Sequence, residues 1–74
     1  MKHLRLNNLI AEMNRFNIRN KDMADILGIS ESAISMKLRG LRKFTSDETM
    51  AIKNIFFPNC KYEYLFDTTK QINK

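Results

Sequence analysis

The sequence is poor in the residues that several classes of protein require. Its 74 residues include no tryptophan, a single cysteine (Cys60) and a single histidine (His3). One cysteine cannot form an intramolecular disulfide, and with His3 far away it supplies no zinc-ligand set. We therefore expect no metal and no cofactor, and a reducing, cytoplasmic location. A domain of this size buries only about 60% of its unfolded surface, so we expect surface recognition and no enclosed small-molecule site.

Long apolar runs are also absent. No more than three apolar residues follow one another, except around Gly28, whereas a membrane-spanning helix needs about 20. Asn7, Asn8 and Glu12 interrupt the N-terminal segment before the apolar region of a signal peptide could form. The sequence therefore predicts neither membrane insertion nor export.

Acidic residues are scarce in the middle of the chain. The formal net charge is +5, and residues 15 to 43 contain seven Lys and Arg against three acids, whereas residues 44 to 74 contain four of each. A basic segment within an otherwise balanced domain is typical of proteins that bind polyanions. Composition alone favours nucleic acid only modestly over ordinary solubility charge.

Apolar spacing predicts short helices. Apolar residues recur at the i, i+3, i+4, i+7 spacing from Leu6 onward, which predicts helix 1 over about Leu4 to Arg15. A second apolar set, Met23, Ala24 and Leu27, ends at Gly28, which accepts the left-handed conformation that closes a helix.

Local signals also bound helix 3. The hydroxyl of Ser30 is placed to cap it, and Gly40 is placed to end it with a second left-handed residue. Ala33, Ile34 and Leu38 would then face the core.

Helix 4 begins with a predicted capping box, in which Thr45 and Glu48 each bond the other's backbone N–H. Pro58 ends it, since proline has no N–H to donate. Its predicted core stripe is Ile52, Ile55 and Phe56.

A short helix 5 from about Lys61 to Phe66 would add Leu65 and an aromatic ring to the core. The sequence thus predicts one all-α domain over residues 1–66 and a polar, flexible tail over 67–74.

The connection between helices 2 and 3 is typical of a helix-turn-helix at residues 20–39. Such a motif needs a small residue at the helix crossing, here Ala24, a residue with positive φ, here Gly28, and apolar residues between the helices, here Ile29 and Ile34. The alternative is an ordinary helical hairpin, which needs no such combination.

The stretch MADILGISESAISMKLRG, residues 23 to 40, resembles the helix-turn-helix of the lambda-repressor-like regulators of Cro and cI type. KDMADILGIS and KFTSDETMAIKNIFFPNCKYEYLF are similar to segments of small repressors from phages and prophages of Gram-positive bacteria. The resemblance covers most of residues 4 to 66. It implies a five-helix domain that represses transcription as a dimer on a palindromic operator, with the third helix in the major groove.

The chain departs from this family's pattern at two positions. Arg19 stands where the family commonly has a Ser or Thr cap, so Asn20 is the alternative cap of helix 2. Lys37 stands where many members have an apolar residue, and here the apolar residue is Leu38.

Periodicity leaves one face of helix 3 free to read bases. The family's base-reading positions fall on Glu31, Ser32, Ser35 and Met36. Glu31 suits a cytosine amino group, or it stabilises the helix N-terminus instead. Met36 suits a thymine methyl group, or it fills the core.

Contacts to phosphate would supply most of the affinity, because Lys and Arg displace counterions from DNA. By family position, Asn20 would bond phosphate and brace the recognition side chains. The other predicted phosphate contacts are the basic residues in and around the motif: Arg19, Lys21, Lys37, Arg39, Arg42 and Lys43. An ordinary solvated face is the alternative for these residues, and Arg39 could bond guanine instead of phosphate.

A homodimer is expected on DNA, since a single helix-turn-helix reads only a half-site. Most aromatic residues follow residue 55, and those in excess of the core would form the dimer interface. The predicted interface residues are Phe57, Tyr62 and Phe66. The alternative is that all of them belong to the core.

Other functions have weaker signals. No nucleophile has a base placed near it by spacing, and no glycine-rich phosphate loop is present, so we expect no enzyme. The main alternative is a protein-interaction module on the same fold, such as an anti-repressor or inhibitor. DNA affinity that falls steeply with salt concentration but does not depend on sequence would indicate a nonspecific nucleoid role.

Overall fold

The computed structural model describes residues 5–68, which contain five helices and no β-strand. Helix α1 spans Asn7–Arg15, α2 Asn20–Leu27, α3 Glu31–Leu38, α4 Ser46–Ala51 and α5 Tyr62–Leu65, and α4 continues into a π-helical turn at Ile52–Phe56. The predicted all-α class is confirmed. Helix α1 begins later than expected, at Asn7, and Leu4 lies outside the described residues, as does the predicted tail beyond Thr68.

Both glycines close helices as the sequence predicts. Gly28 and Gly40 have φ of 72° and 83°. After α3, the N–H of Gly40 donates to the carbonyl of Lys37 over 3.2 Å and that of Leu41 to the carbonyl of Met36 over 2.9 Å. This pair of bonds is a Schellman motif, which satisfies the last carbonyl groups of α3 and fixes the direction of the chain that follows.

Helix α2 is capped by Arg19 and not by Asn20. The Arg19 backbone is extended, and its N–H donates to the carboxylate of Asp22 over 2.9 Å. Asn20 is therefore the first residue of the helix, and the Asp22 carboxylate in its first turn interacts favourably with the positive end of the helix dipole.

The core lies between α1, α2, α3, the end of α4 and α5. Its fully buried side chains are Leu9, Met23, Ile34, Ile52, Phe57 and Leu65. The buried Ala24 lets α2 pack closely on α3, the most extensive contact between separate helices. The backbone N–H of Leu6 donates to the carbonyl of Leu38, which ties the segment before α1 to the end of α3.

The π-helical turn changes which residues of the fourth helix face the core. Ile52 is buried as predicted, but Ile55 is 56% exposed and Phe56 is only partly buried. A π turn places residues i and i+5 on one side, and Phe57 follows Ile52 by five positions. Phe57 is 2% exposed and is covered by the rings of Phe16 and Phe56. The prediction of Ile55 as a core residue is wrong for this reason.

Helix α5 is tied to the rest of the domain by polar contacts as well as by Leu65. The Tyr62 and Thr49 hydroxyls share a hydrogen bond of 2.9 Å. The Asn8 amide donates to the carbonyl of Tyr64 over 2.9 Å. Within residues 5–68, no helix is both long enough and apolar enough to cross a membrane.

Candidate nucleic-acid interface

Helix α3 presents a polar face away from the core. Ile34 and Leu38 are buried, as the periodicity predicts. Of the predicted base-contact residues, Glu31 and Ser32 are exposed, whereas Ser35 and Met36 are half-buried. The four therefore form a graded face, exposed at the start of the helix and partly covered one turn later.

A defined cap fixes the start of α3. The Ser30 hydroxyl accepts a hydrogen bond from the Ala33 N–H over 3.0 Å. This bond places Glu31 and Ser32 in the first turn, where a carboxylate interacts favourably with the helix dipole. Glu31 forms no ion pair with any residue in the range 5–68, so its charge is directed to solvent.

Unpaired positive charge lies at the other end of α3. Arg39, Arg42 and Lys43 are exposed, and their side chains have no ion-pair or hydrogen-bond partner among the residues that the structure describes. All three follow Leu38 within five positions. They are free to neutralise an anionic partner without first breaking an internal bond.

The cations near α2 differ, because each has an acidic neighbour. Arg19 lies 3.8 Å from Asp22, and Lys21 lies 3.5 Å from Asp25. These pairs are exposed, so solvent screens them strongly. Asn20 is half-buried at the first position of α2.

Lys37 is not on the exposed face at all. Its side chain is 9% exposed, and Nζ lies 2.6 Å from Oε1 of Glu48 and 5.5 Å from the centre of the Phe44 ring. It lies in the wall of an open cleft of about 260 Å³ between the end of α3, the basic loop and Phe66. The expected phosphate contact is therefore corrected: the ammonium group is bonded inside the protein.

Glu48 has a larger role than the sequence indicated. Its Oε1 accepts from the Thr45 N–H over 2.9 Å as well as from Lys37, and its own N–H donates to the Thr45 hydroxyl. Burial opposes ionisation of this carboxyl, but the hydrogen bonds from Lys37 and Thr45 outweigh it, so the pKa of Glu48 is lowered. Spacing alone revealed the capping box, whereas the Lys37 contact exists only because the tertiary structure brings the end of α3 close to the start of α4.

The predicted dimer residues have different environments. Phe57 belongs to the core and is too buried to form an interface, which corrects that expectation. Tyr62 is 39% exposed and Phe66 is half-buried, with their ring centres 4.9 Å apart. Met50 and Ile55 are not among the interface residues predicted from the sequence, although their side chains are more exposed, at 53% and 56%.

No arrangement typical of metal binding is found in the described part of the chain. Residues 5–68 contain no group of three or more His, Cys, Asp or Glu side chains placed to hold a metal ion. Cys60 is a free, half-buried thiol.

Comparison with known proteins gives no assignment. No family model matches the chain, and no curated protein and no solved structure matches it significantly. The geometry and charge of the chain itself are therefore the basis for assigning a function.

Proposed function

We propose that this protein binds double-stranded DNA in a sequence-specific manner and regulates transcription as a repressor in the cytoplasm of a bacterial cell, as phage repressors do. The observation that carries the proposal is the surface of α3. An exposed polar face begins at a capped N-terminus, and three unpaired cations follow the last turn. This arrangement suits a helix that reads base edges while the flanking cations hold phosphates.

The proposed motif is a helix-turn-helix of lambda-repressor-like type, made of α2, the turn at Gly28 and α3. Three features favour it over an ordinary hairpin: the buried Ala24, the positive φ of Gly28 and the packing of Ile29 against the core. Together they hold two short helices close to each other while leaving one side of α3 uncovered.

Phosphate contacts are assigned mainly to Arg39, Arg42 and Lys43, because these groups have no internal partner to lose. Arg19, Lys21 and Asn20 are secondary contacts near α2, where Asp22 and Asp25 reduce the local field. Lys37 is left out of the interface. Glu31, Ser32, Ser35 and Met36 are assigned to base edges, with the exposed first turn of α3 entering deepest.

We further propose that the chain binds as a homodimer on a palindrome with half-sites one helical turn apart, about 34 Å. Tyr62 and Phe66 are retained for the interface, since the Tyr62 ring is exposed and contacts the Phe66 ring in a tilted arrangement. Sedimentation at micromolar concentration, with and without operator DNA, tests this. Monomer under both conditions would rule out the dimer.

Selection of bound sequences from random duplex DNA at about 0.15 M salt tests the function itself. The selected sequence is then titrated against a scrambled duplex of the same length and composition. We expect a palindrome bound at least about a thousandfold better than scrambled DNA.

The possible results separate the competing functions. Tight binding without enrichment of any sequence would indicate a nonspecific nucleoid role. No measurable binding would favour the protein-interaction module, for which the exposed Met50 and Ile55 would be the first contact residues to test.

A further inference from the structure

We infer that Lys37 and Glu48 form a clamp that positions the DNA-binding cations, so that Lys37 acts on DNA through the protein and not by touching it. This inference rests on the proposed function. It concerns the segment between α3 and α4, which carries Arg39, Arg42 and Lys43.

The clamp joins the two ends of this segment. Lys37 lies in the last turn of α3 and Glu48 in the first turn of α4, and the 2.6 Å contact between Nζ and Oε1 spans eleven positions of sequence. All three unpaired cations lie between these residues. The ion pair thereby closes a loop around the groups assigned to phosphate.

Each end of the segment is also fixed by hydrogen bonds from backbone N–H groups. The Schellman motif at Gly40 and Leu41 sets its beginning, and the Thr45–Glu48 capping box sets its end. Oε1 of Glu48 takes part in both the capping box and the ion pair. One carboxylate oxygen thus couples the start of α4 to the end of α3.

Burial makes the pair sensitive to geometry. The side chains of Lys37 and Glu48 are 9% and 15% exposed, and the ring of Phe44 covers the ammonium group. Charges with so little contact with water require close pairing, whereas exposed pairs such as Lys21 with Asp25 tolerate separation. The buried pair therefore restricts how α3 and α4 can move relative to each other.

The decisive variant is the double substitution Lys37→Met with Glu48→Gln. It removes one positive and one negative charge, so net charge is unchanged, and it leaves no buried charge unpaired. The Gln side-chain oxygen can still accept from the Thr45 N–H. The matched control is Lys61→Met with Glu63→Gln, which removes one charge of each sign from exposed positions at α5.

We expect the double variant to fold and to bind scrambled DNA with an unchanged dependence on salt. Phosphate contacts held at fixed positions set the register of the protein on its site. The preference of the double variant for the selected sequence over scrambled DNA should therefore fall by at least about tenfold, the size of one lost base contact. The control variant should keep its preference. If Lys37 instead contacts phosphate directly, affinity for both DNAs falls equally and the salt slope drops by about 0.9. That result, or an unchanged preference, would overturn the inference.

Hydrogen exchange tests the clamp without DNA. We expect the amide hydrogens of Gly40 and Leu41 to exchange at least about tenfold faster in the double variant, because local opening becomes easier. The amide of Ile18 is the internal reference, because it donates to the carbonyl of Met13 and lies far from Lys37 and Glu48 in the sequence. Equal protection of Gly40 and Leu41 in both proteins would contradict the clamp.

Wild-type protein without sequence preference would instead contradict the proposed function. If the double variant does not fold, Lys37→Leu with Glu48→Gln, which likewise leaves no buried charge unpaired, takes its place in both measurements.

Discussion

The hydroxyl of Tyr64 donates a hydrogen bond to Oε2 of Glu12 over 2.8 Å, which joins α5 to α1 across 52 positions of sequence. Glu12 is 7% exposed, and its other oxygen lies 3.3 Å from Nε of Arg15. The carboxylate is thus held between a hydroxyl and a guanidinium. This contact attaches the last described helix to the domain, together with Leu65 and the hydrogen bonds of Thr49 and Asn8 to α5.

The contact between Tyr64 and Glu12 predicts a loss of stability at alkaline pH. The hydrogen bond to the Glu12 carboxylate, with some burial, raises the pKa of Tyr64 above its ordinary value of 10.0. A raised folded-state pKa gives a contribution that is complete below the unfolded value and is lost as pH rises through the folded one. Tyr64→Phe should therefore lower the unfolding midpoint near neutral pH, with a smaller difference from wild type above the folded-state pKa.

Ultraviolet titration of the tyrosines, comparing wild type with Tyr64→Phe, identifies the titration of Tyr64. Titration of that group at or below its ordinary value would contradict the assigned hydrogen bond.

Glu48 predicts the opposite behaviour in acid. Burial opposes its ionisation, but the bonds from Lys37 and Thr45 prevail, so the pKa of Glu48 lies below its ordinary value of 4.5. A lowered folded-state pKa gives stability that is present above the unfolded value and is lost as pH falls through the folded one. The stability difference between wild type and Glu48→Gln should stay constant from about pH 7 to about pH 5 and shrink at lower pH.

Urea denaturation at a series of pH values measures this difference. Asp47→Asn is the matched control, since Asp47 lies in the same turn of α4 and bonds neither Lys37 nor Thr45 in the described structure. The same shrinking difference for both variants would show that it is not specific to the Glu48 contacts.

Phe57 and Ile55 test the π-helical turn. Phe57→Ala should cost about 3–5 kcal/mol of unfolding free energy, because it empties a fully buried site, and this is a large part of the about 5–15 kcal/mol typical of a domain. Ile55→Ala, at a side chain that is 56% exposed, should change stability by less than about 0.5 kcal/mol. Thermal unfolding followed by circular dichroism measures both. A larger loss of unfolding free energy for Ile55→Ala would indicate that Ile55 is buried, as a regular α-helix predicts, and would contradict the structure.

The unpaired cations predict a division of roles on DNA. Arg39→Ala and Lys43→Ala should weaken binding to selected and scrambled DNA alike, and each should reduce the salt slope by about 0.9. Arg15→Ala removes the same charge from a residue that contacts Glu12 and lies outside the proposed interface, so it should have a smaller effect.

Substitutions of the proposed base-contact residues should behave differently. Ser32→Ala and Met36→Ala are expected to change which sequence is preferred while leaving binding to scrambled DNA nearly unchanged. Fluorescence anisotropy with both DNAs measures all of these variants. Equal ratios of specific to nonspecific affinity in Arg39, Lys43, Ser32 and Met36 variants would contradict this division.

Local sequence signals are sufficient to predict the helices and most of their ends. Gly28, Gly40, Ser30 and the Thr45–Glu48 box act on backbone groups no more than a few positions away, so their effects can be derived from spacing. The inward faces of Ile34, Leu38 and Leu65 follow from apolar periodicity in the same way.

Which side chains are available to a partner depends instead on tertiary packing. A π turn substituted Phe57 for Ile55 in the core, which local spacing does not reveal, since a regular helix and a π turn share the same sequence signals here. Lys37 and Arg39 are both basic residues at the end of α3, yet Lys37 is buried against Glu48 and Arg39 is exposed. Pairing and burial depend on residues brought together from distant positions in the sequence. The unpaired cations of the candidate interface could therefore be identified only from the tertiary structure, in which the end of α3 lies close to the start of α4.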